Sequence, residues 1–302
     1  MTILCSVVGA ALIILAAQDL YHTLFHPAAR GDISDWIALR IWRMFRRWLP
    51  RKLDFAGPSA FVTVVLFWIL GIVLGFALLY YPHIPQSYAF AEGLDPRSYA
   101  SVSGAAVLSL SSLMTVSTGL YSKQLWLSFL MGTEAVFGFG LLTASISWIL
   151  SIYPVLEHRK SLAQEATLLH FAEANNIRRL QDVSDSDLQE ILLGFASQLT
   201  THRNELSQFP ITYFFYEEDR KTSLAGILGY LAEIADESVV RKGAAAIAAT
   251  TLGGAVDDYL KLLCRLFLHR EFTNRDQILQ AYAEDQNRTL VRRPRIQLDQ
   301  AA

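Results

Sequence analysis

Three runs of apolar residues, each long enough to cross a lipid bilayer, constrain this chain more than any other feature. Thr2 to Leu20 is apolar or weakly polar until Gln18 and Asp19, about Pro58 to Tyr81 is rich in Val, Leu, Ile and Phe, and about Leu125 to Tyr153 is again apolar. A helix rises 1.5 Å per residue, so about 20 such residues span a hydrocarbon core of about 30 Å. The first run lacks the positive leading region of a cleaved signal, so a membrane anchor is expected. Tyr80 and Tyr81 read as an interfacial aromatic belt at the end of the second run. The third is longer than a crossing needs, so tilt or extension beyond the bilayer is expected.

Charge sets the orientation. The chain is 52% hydrophobic with a net charge of -2, and charged residues crowd its second half. That balance gives no reason to expect nucleic acid as a partner. Arg30, Arg40, Arg43, Arg46, Arg47, Arg51 and Lys52 lie between the first two runs, whereas Pro82 to Ser103 carries Arg97 alone among basic Lys and Arg. By the positive-inside rule the basic stretch is cytoplasmic and the N-terminus outside. His158, Arg159 and Lys160 follow the third run directly and agree, which places the rest of the chain in the cytoplasm. In the basic stretch Ile33, Trp36, Ile37, Ile41, Met44, Phe45 and Trp48 recur at three- and four-residue steps with arginines filling the other side. This reads as an amphipathic helix on the inner membrane surface, either a plain anchor or a cuff coupled to the third span. Asp19 is placed to pair with its arginines.

A fourth apolar stretch does not fit a simple crossing. Val102 to Met114 has no charge and is too short to span, and both its flanks belong outside. A short helix that enters the membrane and returns through Thr115 to Tyr121 satisfies the topology. Irregular backbone at that depth is tolerated only when buried in protein or lining a water-filled path.

The stretch Ser111-Ser112-Leu113-Met114-Thr115-Val116-Ser117-Thr118-Gly119-Leu120 resembles the pore-helix end and selectivity filter of the potassium-channel family, which reads Thr-Val-Gly-Tyr-Gly. Thr115, Val116 and Gly119 match, while Ser117 stands for a glycine and Thr118 for the tyrosine. Asp19 with Thr23-Leu24-Phe25-His26-Pro27, and Glu134 with Gly138-Phe139-Gly140-Leu141-Leu142-Thr143, resemble a bacterial potassium-channel-like group with three spans and a helical tail. The resemblance covers most of residues 1–160 and, more loosely, Phe209 to Leu224. It implies a homotetramer in a bacterial inner membrane, with K+ or Na+ as permeant ions and no other cofactor.

The departures have physical content. A filter of carbonyls needs backbone of alternating sign, which glycine adopts freely. A non-glycine residue in left-handed space costs roughly 1–2 kcal/mol, so Ser117 is expected to relax into ordinary backbone and turn its carbonyl off the axis. Sites made by Thr115 and Val116 would remain, with hydroxyls of Thr115, Ser117 or Thr118 at a wider mouth. Weak selectivity follows, or a relative that does not conduct and acts as a membrane sensor or scaffold. On the third span Val136, Gly140, Thr143, Ser147 and Ser151 share one face, small and mildly polar, which suits a wet cavity wall or a helix-packing seam. Gly138 and Gly140 are candidate hinges. Glu134, an acid inside a span, is expected either behind the filter, bonded to its loop or tuning cation occupancy, or as a structural partner for Thr or Ser hydroxyls on the pore helix, in neither case coordinating an ion.

The fold class is therefore an all-α membrane protein, with three transmembrane helices and a re-entrant pore helix followed by an all-α cytoplasmic domain. Residues 1–57 hold the first span and the surface helix, 58–153 the pore module, 154–286 the helical domain and 287–302 a polar, disordered tail. In the helical domain, helices are expected over Ala163 to Ala174, from a capping box at Ser186 and Gln189 to about Leu206, over Ser223 to Ala235, over Val239 to Arg270 and over Thr273 to Asp285. Glu217-Glu218-Asp219 reads as a solvated charge run or a divalent site. No phosphate loop, metal-spaced histidine pair or nucleophile motif is present, and one cysteine in each half, Cys5 and Cys264, gives no disulfide framework, so no enzyme is expected.

Overall fold

The computed structural model describes residues 2–24, 32–175 and 180–293. Phe25, His26, Pro27 and Arg30, and the tail from Pro294 with Arg295, lie outside the described residues. Helices dominate: α1 (Thr2–Leu24), α2 (Asp32–Trp48), α3 (Ala56–Tyr80), α4 (Pro96–Tyr99), α5 (Val102–Leu113), α6 (Leu125–Asn175), α7 (Asp185–Gln208), α8 (Leu224–Ser238), α9 (Ala244–Leu263) and α10 (Arg275–Asp285). Among them three, α1, α3 with its flanking turns, and α6, are long and apolar enough to cross a membrane. They mark a membrane-associated protein. Two three-residue strands, β1 (Tyr88–Phe90) and β2 (Leu120–Ser122), pair antiparallel with Phe90 opposite Leu120. Segments that short carry no alternation legible in sequence.

The chain divides into two compact units, residues 1–43 with 58–151, and residues 44–57 with 152–302. In the first, apolar helices gain little from burying apolar surface in lipid and pack through small residues instead. A Cβ at Gly75 would stand 2.8 Å from the Gly9 carbonyl and 2.5 Å from Ile13, and one at Gly71 would stand 3.0 Å from Ala16. α1 and α3 therefore meet backbone to backbone. Aromatic rings join α3 to α6, with Trp68 and Trp148 centroids 5.6 Å apart and Phe61 5.0 Å from Trp148.

Asp19 does not follow the expected arginine pairing. Its buried carboxylate accepts from Trp68 Nε1 at 2.8 Å, Ile33 N at 3.1 Å, Ser34 N at 3.4 Å and the Ser34 hydroxyl. The start of α2 supplies unpaired amides and a partial positive charge, which a buried anion uses as it would a cation. α2 buries one side and leaves part of its apolar stripe exposed. Ser34, Ala38 and Trp42 form its buried side, while Trp36, Met44 and Trp48 are exposed among the arginines, and Arg40 lies 4.8 Å over the Trp36 ring.

The second unit is built on α7 and α8 packed against α9. α7 is capped by Ser184, whose hydroxyl accepts from Asp187 N at 3.2 Å, two residues before the expected cap. The two expected helices are α8 and α9, but α9 begins at Ala244, after Gly243 (φ 65°), and not at Val239. The expected helix over Ala163 to Ala174 is instead the end of α6, which continues through Pro154. Buried Arg159 donates to the carbonyls of Thr212 (2.9 Å) and Phe215 (2.6 Å), fixing the turn that Pro210 begins. Part of the segment expected to be disordered is placed. Residues 287–293 run as an ordered strap along α8, because their arginines find carboxylates and carbonyls there.

Candidate functional site

α5 carries the residues that the sequence singles out. Ser101 caps its start by accepting from Gly104 N at 3.0 Å. Gly104, Ala105, Leu108, Ser109, Ser112 and Leu113 recur at helical spacing and form its buried side. Its end is a left-handed cap. Thr115 takes φ 58°, Val116 N donates to Ser111 O at 2.8 Å, and Thr115 N donates to Ser112 O at 3.0 Å. This paired geometry normally ends in glycine at the position Thr115 occupies. Left-handed backbone thus falls on Thr115 and on Gly119 (φ 75°), and Ser117 is not among the positive-φ residues.

Thr115, Val116 and Ser117 are exposed, and Thr118 and Gly119 are half-buried. The Ser117 and Thr118 hydroxyls turn back on their own loop, accepting from Gly119 N at 3.3 Å and Leu120 N at 3.4 Å. Gly119 then hands the chain to β2. Its carbonyl accepts from Ala91 N at 2.8 Å, and a Cβ there would press within 3.0 Å of Leu94 and 3.1 Å of Ala91. The strand pair ties the loop's exit to the segment that precedes α4.

Glu134 of α6 is fully buried. It accepts from the Tyr80 hydroxyl at 2.7 Å and bonds to Ser109, whose hydroxyl also lies 3.0 Å from the Val73 carbonyl. One side chain therefore links α6 to α3 and to α5. Glu134 grips the helix that leads into the loop, and no described bond joins it to Thr115 through Gly119. Four residues on, Gly138 meets the end of α5, where an added Cβ would stand 2.0 Å from the Leu113 carbonyl. Gly138 is thus a close-approach residue, whereas a Cβ at Gly140 would meet nothing within 4 Å.

Val136, Gly140, Thr143, Ser147 and Ser151 are all exposed and share one side of α6. Two of their hydroxyls are occupied within the helix, Thr143 donating to Phe139 O at 2.9 Å and Ser151 to Ser147 O at 2.9 Å. These five residues are not brought to the Glu134 cluster.

The sequence reading allowed a pore-helix hydroxyl beside Glu134, which Ser109 supplies, but missed Tyr80 as its other partner and the strand pair. Tyr80 is fully buried and is not a member of an interfacial belt, because its hydroxyl has a buried carboxylate to serve. Ser109 and Ser112, three residues apart on an otherwise apolar helix, were the legible sign of a polar seam. Among the described residues no group of three or more His, Cys, Asp or Glu could hold a metal ion. Within Glu217-Glu218-Asp219, Glu217 pairs with Lys160 at 2.8 Å and Asp219 caps a turn by accepting from Lys221 N at 2.9 Å. No protein-family model matches this chain, and neither does any curated protein or solved structure.

Proposed function

We propose that residues 1–153 form a cation-channel-like pore module of a bacterial inner membrane, with α5 re-entering from the outer face and four chains enclosing the axis. One observation carries this reading. A short, uncharged helix lies between two apolar helices of spanning length, is gripped at its middle by Glu134 and at its end by Gly138, and leads into an exposed loop. Exposed backbone at membrane depth is tolerated where it borders water, and one loop per chain encloses no axis alone. In this assembly the face of Val136, Gly140, Thr143, Ser147 and Ser151 lines the inner cavity. Thr115 and Val116 stand nearest the narrow part, and K+ and Na+ pass with little discrimination. Residues 154–286 lie in the cytoplasm.

A second reading, a non-conducting relative that works as a sensor or scaffold through its helical domain, has its own supporting observation. Thr115 is spent on ending α5, and the Ser117 and Thr118 hydroxyls bond to their own loop. Cation flux into liposomes tests both. The channel reading expects flux with weak preference between K+ and Na+, lost when Val136 and Gly140 are replaced by bulky residues. Absence of flux from correctly assembled protein favours the scaffold, and strong K+ selectivity overturns the argument from Ser117.

A further inference from the structure

The strap at 287–293 touches α8 in the manner of a bound peptide. Its backbone is read first. Val291 N donates to the Gly226 carbonyl at 2.8 Å, and the Arg292 carbonyl lies 3.2 Å from His170 Nε2. Its apolar pair is read next. A Cβ on Gly229 would stand 2.9 Å from both Leu290 Cγ and the Val291 carbonyl, so the strap fills a notch that only glycine leaves open.

Its charges are read last. Arg293 is buried with Glu173 at 2.5 Å, bonds to Glu237, and donates its own N–H to Glu233 at 2.5 Å. Arg292 reaches Glu233 at 3.1 Å and Asp276 at 3.0 Å. Glu173 is held in place by Tyr230 at 2.8 Å and Leu180 N at 3.0 Å. At the other end Arg288 donates to the carbonyls of Glu217 and Glu218 and lies 4.8 Å over Tyr216.

Backbone bonds give such a segment affinity, and side-chain pockets give it specificity. Arginine suits this task because its rigid fork bridges several carboxylates. Asn287 N and Arg288 N donate to Glu284 O at 3.1 Å and Ala283 O at 2.7 Å at the end of α10, and among the described residues 289–293 form no helix or strand of their own.

We propose that the groove formed by Gly226, Gly229, Glu233, Glu237 and Glu173 is a peptide-binding seat for an extended segment with two apolar residues before two arginines. Residues 287–293 are its resident, exchangeable occupant. Tethering holds the occupant at an effective concentration of about millimolar, so a second protein segment of the same chemistry enters when the strap is drawn away.

The test uses the full chain carrying Arg292→Ala and Arg293→Ala, which weakens the resident, and a labelled heptapeptide of residues 287–293 with its arginines intact. The variant binds the peptide saturably, and wild type binds it about tenfold more weakly. Adding Glu233→Gln and Glu237→Gln to the variant abolishes binding. A folded variant that takes up no peptide, or one that binds it no better than wild type does, overturns the proposal. Amide exchange on the unaltered chain decides independently of variant folding. Val291 exchanges about tenfold faster than amides of the α9 core, and faster still in high salt, which screens the more exposed Arg292 pairs with Glu233 and Asp276. Exchange of Val291 together with the α9 core at both salts contradicts an exchangeable strap.

Discussion

Thr115 sits where the end of α5 asks for glycine, and it holds φ 58° with a β-branched side chain. Replacing it with glycine relieves that cost, and Thr115→Gly is expected to stabilise the protein by about 1 kcal/mol, read as a rise in thermal midpoint in detergent. Glu134 makes the opposite case. Glu134→Gln keeps an acceptor for Tyr80 and a donor for Ser109, so stability should change by less than about 1 kcal/mol. Glu134→Ala strands the Tyr80 hydroxyl in a buried site, leaves Ser109 with the Val73 carbonyl alone and opens a cavity, and should cost about 3 kcal/mol. Glu134 itself was legible as an acid in an apolar run. A pore-helix hydroxyl was legible as one partner but not which one, and Tyr80, 54 residues away, was not legible at all, because one sequence holds no record of which hydroxyl faces which acid. Ser117 keeps out of positive φ, as the cost of left-handed backbone for a non-glycine residue requires. The left-handed turn falls instead on Thr115, a matching position where none was expected.

At the scale of elements, α5 and α6 cross at Gly138. Gly138→Leu is expected to drive that crossing apart and lower the thermal midpoint sharply, since the neighbour is a backbone carbonyl with no room to yield. Gly140→Ala should leave the midpoint unchanged while altering cation flux, because nothing in the protomer occupies the space it enters. α7 supports a pH prediction. Burial holds the His202 imidazole below its ordinary value, against the pull of Glu205, whose carboxylate stands 3.8 Å away. At Glu205 burial raises the carboxyl, but His202 and His158, the latter at 2.6 Å, outweigh it and hold the group below its usual range. Both groups are depressed in the fold, so each contributes stability at neutral pH. His202's part is lost as pH falls below about 6.5, and that of Glu205 in the more acid range below its unfolded value near 4.3. Circular dichroism melts at neutral pH and near pH 5 should show a lower midpoint in acid, and His202→Gln should narrow the gap. The helices of this unit were legible from caps and periodicity to within a few residues. Their breaks were set by local geometry, such as Gly243, that composition only suggested.

At the scale of the molecule, the three apolar helices were fully legible, since about 20 residues without charge leave a chain few alternatives. The strap was not. A polar run with three arginines reads as disordered unless its carboxylate partners are known, and those lie on α6, α8 and α10. The strand pair was invisible for a related reason, because three residues a side owe their pairing to the elements that bring them together. The pore reading rests on how α5 is held between apolar helices, so it is judged by what passes through the assembled protein. Single-channel recording from the purified assembly in a planar bilayer tests this most directly. The account predicts discrete cation currents with little preference between K+ and Na+, and a correctly assembled tetramer that stays silent would contradict it.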